Sequence, residues 1–225
     1  MNHIFIASCI EAINIQLPRI IDNITQVNIP PEYVHIIIGG CETDTVEYIN
    51  NIEIVKVNYR CFEFTPHIFI SKNPNKYDFD YAFFTHDTVK FGTKFYINIC
   101  NDISELKSTT FDTKKIENCQ PSMNIGIYSK NIILKNTNKL DLICCHTNNS
   151  TELMDLKKKL IYHEDFMFSE NNMPSSDSSR NINNTFYGVL NNTPANGYIR
   201  YFDRIDFIKY QSNANTIQSI DICKI

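Results

Sequence analysis

Tryptophan is absent from this 225-residue chain, glycine occurs six times, and no two of the eight cysteines stand in a C-x-x-C pair. The glycines, at 39, 40, 92, 126, 188 and 197, make neither G-x-G-x-x-G nor a Walker loop, so the common glycine-rich phosphate cradles are excluded. The cysteines, without chelating or thiol-exchange spacing, read as buried thiols of a reducing compartment. Long apolar runs are also missing. None approaches the ~18 residues of a membrane span, and the first ten residues lack the basic start and cleavage site of a signal peptide, so a soluble cytoplasmic protein is expected. Nor is there a basic excess: 21 Lys plus Arg against 25 Asp plus Glu give a net charge of -4. A chain of that sign has no electrostatic track for a nucleic acid.

What the chain has in abundance is isoleucine, 35 residues, and asparagine, 28, within an apolar share of 43%. That is enough for one full-sized core, and a single domain over residues 1–225 is expected. In the first hundred residues, short continuous apolar runs alternate with helix-like or turn-rich stretches, the rhythm of strands buried on both faces in an α/β fold. Residues 3–10, 34–38, 52–57 and 79–84 read as strands. Leu17, Ile20, Ile21 and Ile24 form a helical stripe, and residues 62–71 read as a second helix. Further on, residues 124–129 read as a strand around Gly126, where a ligand or another backbone approaches closely. Leu153, Leu156 and Leu160 have helical spacing. The polar tract 169–185 reads as a mobile surface loop, either a linker or a lid.

In an open α/β sheet, ligands collect at the carboxyl ends of the strands. The candidates there are Ala7, Ser8, Cys9 and Glu11 after the first strand, and Gly39 and Gly40 after the second. The fourth strand runs into Thr85-His86-Asp87-Thr88. A divalent cation that also holds a diphosphate needs few protein oxygens, which makes Asp87 the leading ligand and His86 the second. The alternative is that Asp87 and Thr88 cap a turn. Asp78 and Asp80 precede the strand and read as solvated. His163, Glu164 and Asp165 bring three ionisable groups together, able to act as base or ligand or simply to cap a helix. His146 is a further possible ligand, while His35 and His67 read as structural. Arg200, Arg204, Lys209 and Lys72 are candidate partners for a diphosphate, or else surface charge.

In their order, the apolar strand ending in THDT, the glycine-containing MNIGIYSKNIIL and the later HED resemble a GT-A fold glycosyltransferase. The ending GYIRYFDRIDFIKYQSN resembles small glycosyltransferase-like proteins of large DNA viruses and phages. The resemblance implies a Rossmann-type mixed sheet flanked by helices, with a nucleotide-sugar half over about residues 1–100 and an acceptor half over about 101–225. It implies transfer of a sugar from a nucleotide-diphosphate sugar to a hydroxyl of a glycan or other acceptor, assisted by Mn²⁺ or Mg²⁺ and inverting. Asp87 would be the metal-binding acid, with His86 and His163 as further ligands. Asp165 would be the base, with Glu164 beside it, and Arg200 would meet the donor. His86 stands where the first Asp of the family's D-x-D motif is expected. A binding or virion protein on the same scaffold and a metal-dependent phosphohydrolase are the competing readings.

Overall fold

A computed structural model describes residues 2–116, 125–146, 149, 151–152, 155, 172–173, 179–190 and 193–212. The chain opens with β1 (His3–Cys9) and α1 (Ile13–Gln26). β2 (Val34–Gly39), β3 (Thr45–Ile49), β4 (Ile52–Val57) and α2 (Thr65–Lys72) follow. Next come β5 (Tyr81–His86), β6 (Val89–Phe91), α3 (Phe95–Lys107), β7 (Thr113–Lys115), β8 (Gly126–Ser129), α4 (Lys130–Lys135) and α5 (Thr137–Ile143). β9 (Asn172–Met173), β10 (Ser179–Leu190), β11 (Thr193–Phe202) and β12 (Phe207–Ser212) complete it.

Eight strands form a mixed sheet in the order β3-β4-β2-β1-β5-β8-β7-β9, and β10-β11-β12-β6 form a second sheet. β4, β2, β1 and β5 are mutually parallel, whereas β8 runs antiparallel to β5. This is an α/β fold compatible with a Rossmann-like arrangement. Alternation along the strands divides the core into two layers. Ile4 and Ile6, Ile36 and Ile38, Ile52 and Ile54, and Phe83 pack with α1, α3 and the second sheet. Phe5, Ile37, Val55, Val57 and Phe84 pack with α2, α4 and α5 on the other face. Both faces of each parallel strand are covered, which is why β1, β2 and β5 are written largely as apolar runs, while β4 admits Glu53 and Lys56, each in an ion pair. Among the described residues no helix is long and apolar enough to cross a membrane.

The polar anchors are few and specific. Asn23 fixes α1 to β6 with a two-way clamp, donating to the Phe91 carbonyl at 3.0 Å and accepting from the Phe91 N–H at 2.7 Å. Asp102 of α3 is buried, takes a bidentate pair from Arg204 and bonds Lys114 at 3.0 Å, tying helix, sheet and the turn before β12 together. Gly126 serves another backbone rather than a ligand, since a Cβ there would meet the Lys114 carbonyl oxygen at 2.7 Å across the β7 pairing.

One strand was not expected and two local expectations need correction. The edge strand β3 is exposed along its whole length, so it lacks the buried apolar run that marks the other strands; it forms by antiparallel pairing with β4. The expected helix 62–71 begins as a 3-10 turn over Phe62–Phe64, with Phe62 at φ +48°, and becomes α-helical at Thr65. The tract expected as a loop, 169–185, includes β9 and the beginning of β10. Backbone pairing of β10 with β11 supplies there what apolar side chains do not. Most of the helix expected around Leu153, Leu156 and Leu160 lies outside the described residues.

Candidate functional site at the sheet crossover

Strand order reverses direction at β1: β2 and β4 lie on one side of it and β5 on the other. The carboxyl ends of β1 and β5 therefore border the crevice where open α/β sheets take ligands. At that point the chain also leaves the large sheet, because β5 is followed at once by β6 of the second sheet. Asp87 and Thr88 form the elbow between them. The elbow is pinned from several sides: the Asp87 N–H donates to the Ala7 carbonyl at 3.0 Å, and the Tyr210 N–H donates to the Thr88 carbonyl at 2.9 Å. Arg19 of α1 donates through Nη2 to the Asp87 carbonyl and lies over the Tyr210 ring, 5.5 Å from its centroid.

The Asp87 side chain is buried and accepts the Ser8 hydroxyl at 2.6 Å. Burial pushes its carboxyl pKa up, and the Ser8 hydrogen bond and the Arg19 charge oppose that rise. The Cys9 thiol is pushed up to about 12 by burial and by the negative charges of Asp87 and Glu11, so it stands as a thiol and not as a nucleophile. Ser8 and Asp87 meet because both lie on the face that carries Ile6 and Phe83. His86, one residue away, falls on the opposite face by the same alternation and bonds its Nδ1 to the Thr88 hydroxyl at 2.7 Å.

The other wall holds Glu11 and Arg60. Their side chains form an ion pair, and Arg60 is buried where it crosses the end of β2. Burial alone would raise Glu11, but the hydrogen bond and charge of Arg60 outweigh it and its pKa falls. Gly39 and Gly40 make room for this crossing. A Cβ on Gly39 would meet Arg60 Cβ at 2.8 Å and the Tyr59 carbonyl oxygen at 3.0 Å; Gly40 has φ +84°, with Arg60 against it at 3.1 Å. The two glycines thus accommodate the protein's own arginine.

Of the expected residues, Ala7, Ser8, Cys9, Glu11, Gly39, Gly40 and Asp87 converge on this crevice. Arg200 lies in β11, in register with Lys209 and Asn181. Arg204 is spent on Asp102, and Lys72 lies over the Tyr59 ring on the α2 face, where His146 also meets Tyr59. His163, Glu164 and Asp165 lie outside the described residues. His35 and His67 are structural as expected: His67 is wholly buried, stacks on Phe84, and is driven down to about 3 by burial. Asp80 is solvent-facing and pairs with Lys107. Arg19 and Arg60 were not legible as site residues. A single arginine in an apolar helix and one after a strand give no spacing to read, although Gly39-Gly40 does signal a close approach.

Among the described residues no three His, Cys, Asp or Glu side chains converge to hold a metal ion. The donors in the crevice suit one poorly. Asp87 offers one carboxylate, already hydrogen-bonded to Ser8 and beside a guanidinium, and His86 is turned to Thr88. These residues do not by themselves make a divalent-cation site. No protein-family model, curated protein or solved structure matches the chain.

Proposed function

We propose that this chain is a glycosyltransferase of GT-A type that binds a nucleotide-diphosphate sugar in the β1/β5 crevice. The observation that carries this reading is the elbow at Asp87, buried against Ser8 at the point where the strand order reverses and the chain passes to the second sheet. The mixed sheet with helices on both faces is in keeping with the resemblance. A crevice that holds Arg19 beside Asp87 on one wall and the Glu11–Arg60 pair on the other, in a chain of net charge -4, suits one small anionic ligand better than a long polyanion.

The chemistry is a displacement at the anomeric carbon. A bond forms from the acceptor hydroxyl oxygen to that carbon while the bond to the diphosphate oxygen breaks, and the diphosphate leaves with the electron pair. The acceptor proton passes to a carboxylate, assigned by the resemblance to Asp165, with Glu164 next to it. Positive groups lining the crevice stabilise the departing charge.

The test is thermal shift with UDP and GDP, with and without Mn²⁺, followed by sugar-release assays with the corresponding nucleotide sugars. A nucleotide-dependent shift and turnover are expected; no shift with either nucleotide removes the reading. Asp87→Ala is expected to fold and to lose the Mn²⁺-dependent part of that shift. Asp165→Asn is expected to bind nucleotide and lose transfer, and undiminished turnover would take Asp165 out of the base role.

A further inference from the structure

We infer that Arg19 is the residue that receives the diphosphate in this crevice, an assignment that rests on reading the crevice as a nucleotide site. Two arginines spend their charge inside the protein. Arg60 is paired with Glu11 and Arg204 with Asp102. Among the described residues no carboxylate lies within ion-pair distance of Arg19; its side chain is half-buried, burial pulls its pKa down, and Tyr210 and the more distant Asp87 carboxylate offset that only in part. A half-buried cation whose nearest carboxylate stands beyond ion-pair distance is only partly compensated, and a bound anion completes it.

Arg19 also has donors to spare. A guanidinium carries five N–H groups in a planar fork. One bond is made, from Nη2 to the Asp87 carbonyl, and Nε is buried with no acceptor among the described residues. One turn earlier on the same helix face, the Gln16 side-chain carbonyl is likewise buried without a donor. One turn later, Asn23 bonds the backbone of β6 in both directions with a neutral amide. Holding the Asp87 elbow needs no more than such an amide, so the charge and the remaining donors of Arg19 are surplus to that task. They sit at the carboxyl end of β1, beside the elbow, with the fork's face held over Tyr210. A planar fork in that place matches two phosphate oxygens.

The test titrates UDP, inorganic pyrophosphate and uridine into the full-length protein and its Arg19→Gln and Arg19→Lys variants. Gln can still donate to the Asp87 carbonyl but carries no charge. UDP and pyrophosphate affinity is expected to fall at least tenfold in Arg19→Gln and less in Arg19→Lys, while uridine, which has no phosphate, binds all three alike. A folded Arg19→Gln protein that binds UDP as tightly as the parent makes Arg19 a brace for the elbow and overturns the assignment. A second measurement needs no variant. Pyrophosphate is expected to protect Arg19 from phenylglyoxal, read by mass spectrometry, and modification at an unchanged rate overturns the assignment equally. Arg19-dependent UDP binding without sugar transfer from any donor removes the transferase reading and leaves Arg19 in place. Failure of UDP, GDP and pyrophosphate to bind the parent removes both.

Discussion

The two ends of the parallel sheet bury polar groups in opposite ways. At the amino end, His3, His35 and Glu53 begin three adjacent strands and form a closed chain. His3 Nδ1 meets His35 Nε2 at 2.8 Å, and His35 Nδ1 meets Glu53 at 2.8 Å. Glu53 also accepts the Tyr77 hydroxyl at 2.6 Å and pairs with Lys76 at 2.9 Å. Burial alone would raise the Glu53 carboxyl, yet the bonds from His35, Tyr77 and Lys76 bring it down to about 2. At the carboxyl end, Asp87 receives one hydroxyl and is pushed up, while Arg19 keeps a buried N–H without an acceptor among the described residues. The closed network has the character of architecture. Among the described residues the open one is incomplete, and incompleteness in a crevice is what a binding site requires.

The largest expected effect breaks the closed end. Glu53→Ala leaves the His35, Tyr77 and Lys76 donors buried without their shared acceptor, and should cost about 3 kcal/mol in urea unfolding. Nucleotide binding by the folded protein should be unchanged, because the crevice lies at the other end of the strands. A loss below about 1 kcal/mol would mean that the amino-end network does little to hold the strands together.

The contrast explains which parts of the molecule were legible from residues alone. The parallel strands β1, β2 and β5 could be read because each is a run of mostly apolar residues, and β4 from the alternation of apolar and polar residues along it. Ser8 and Asp87 could be named because they stand at strand ends. Pairing partners were not legible. Nothing in the sequence says that Asp87 meets Ser8, that Glu11 meets Arg60, or that His86 turns to Thr88, since each pair joins segments set by tertiary packing. The strands β3 and β10 escaped for a related reason: backbone pairing with a neighbour holds them, and it leaves no apolar signature in the side chains.

A pH series sharpens the comparison with a smaller effect. Burial holds His67 at about 3 and His3 at about 4 in the folded chain, against an ordinary value near 6.5. The unfolded chain therefore binds more protons between those values, and stability falls as pH drops below about 6.5 until the folded-state values are reached. His67 alone should account for about 1.5 kcal/mol between pH 6.5 and pH 5. Asp87 works in the other direction: its raised value makes its ionised form a burden that protonation relieves. His67→Phe should remove its part of the acid loss, and Asp87→Asn should leave that loss in place. An unaltered pH slope in His67→Phe would show that the imidazole is not held neutral by its Phe84 and Tyr128 surroundings.

The smallest effect on stability is expected at the rim. Glu11 is well exposed and Arg60 is buried, so their pair has one wet member, and Glu11→Gln should change unfolding free energy by less than about 1 kcal/mol. Its effect on ligand should be larger than its effect on the fold. Removing the carboxylate leaves the Arg60 charge uncompensated by Glu11 beside Gly40, so UDP affinity should rise severalfold while uridine affinity stays level. The equivalent exchange at the closed end, Glu53→Gln, should destabilise the fold and leave UDP affinity untouched. If Glu11→Gln instead weakens UDP binding, the carboxylate itself contacts the ligand, most simply through a ribose hydroxyl. The open character of the crevice would then belong to its acid as well as to its arginines.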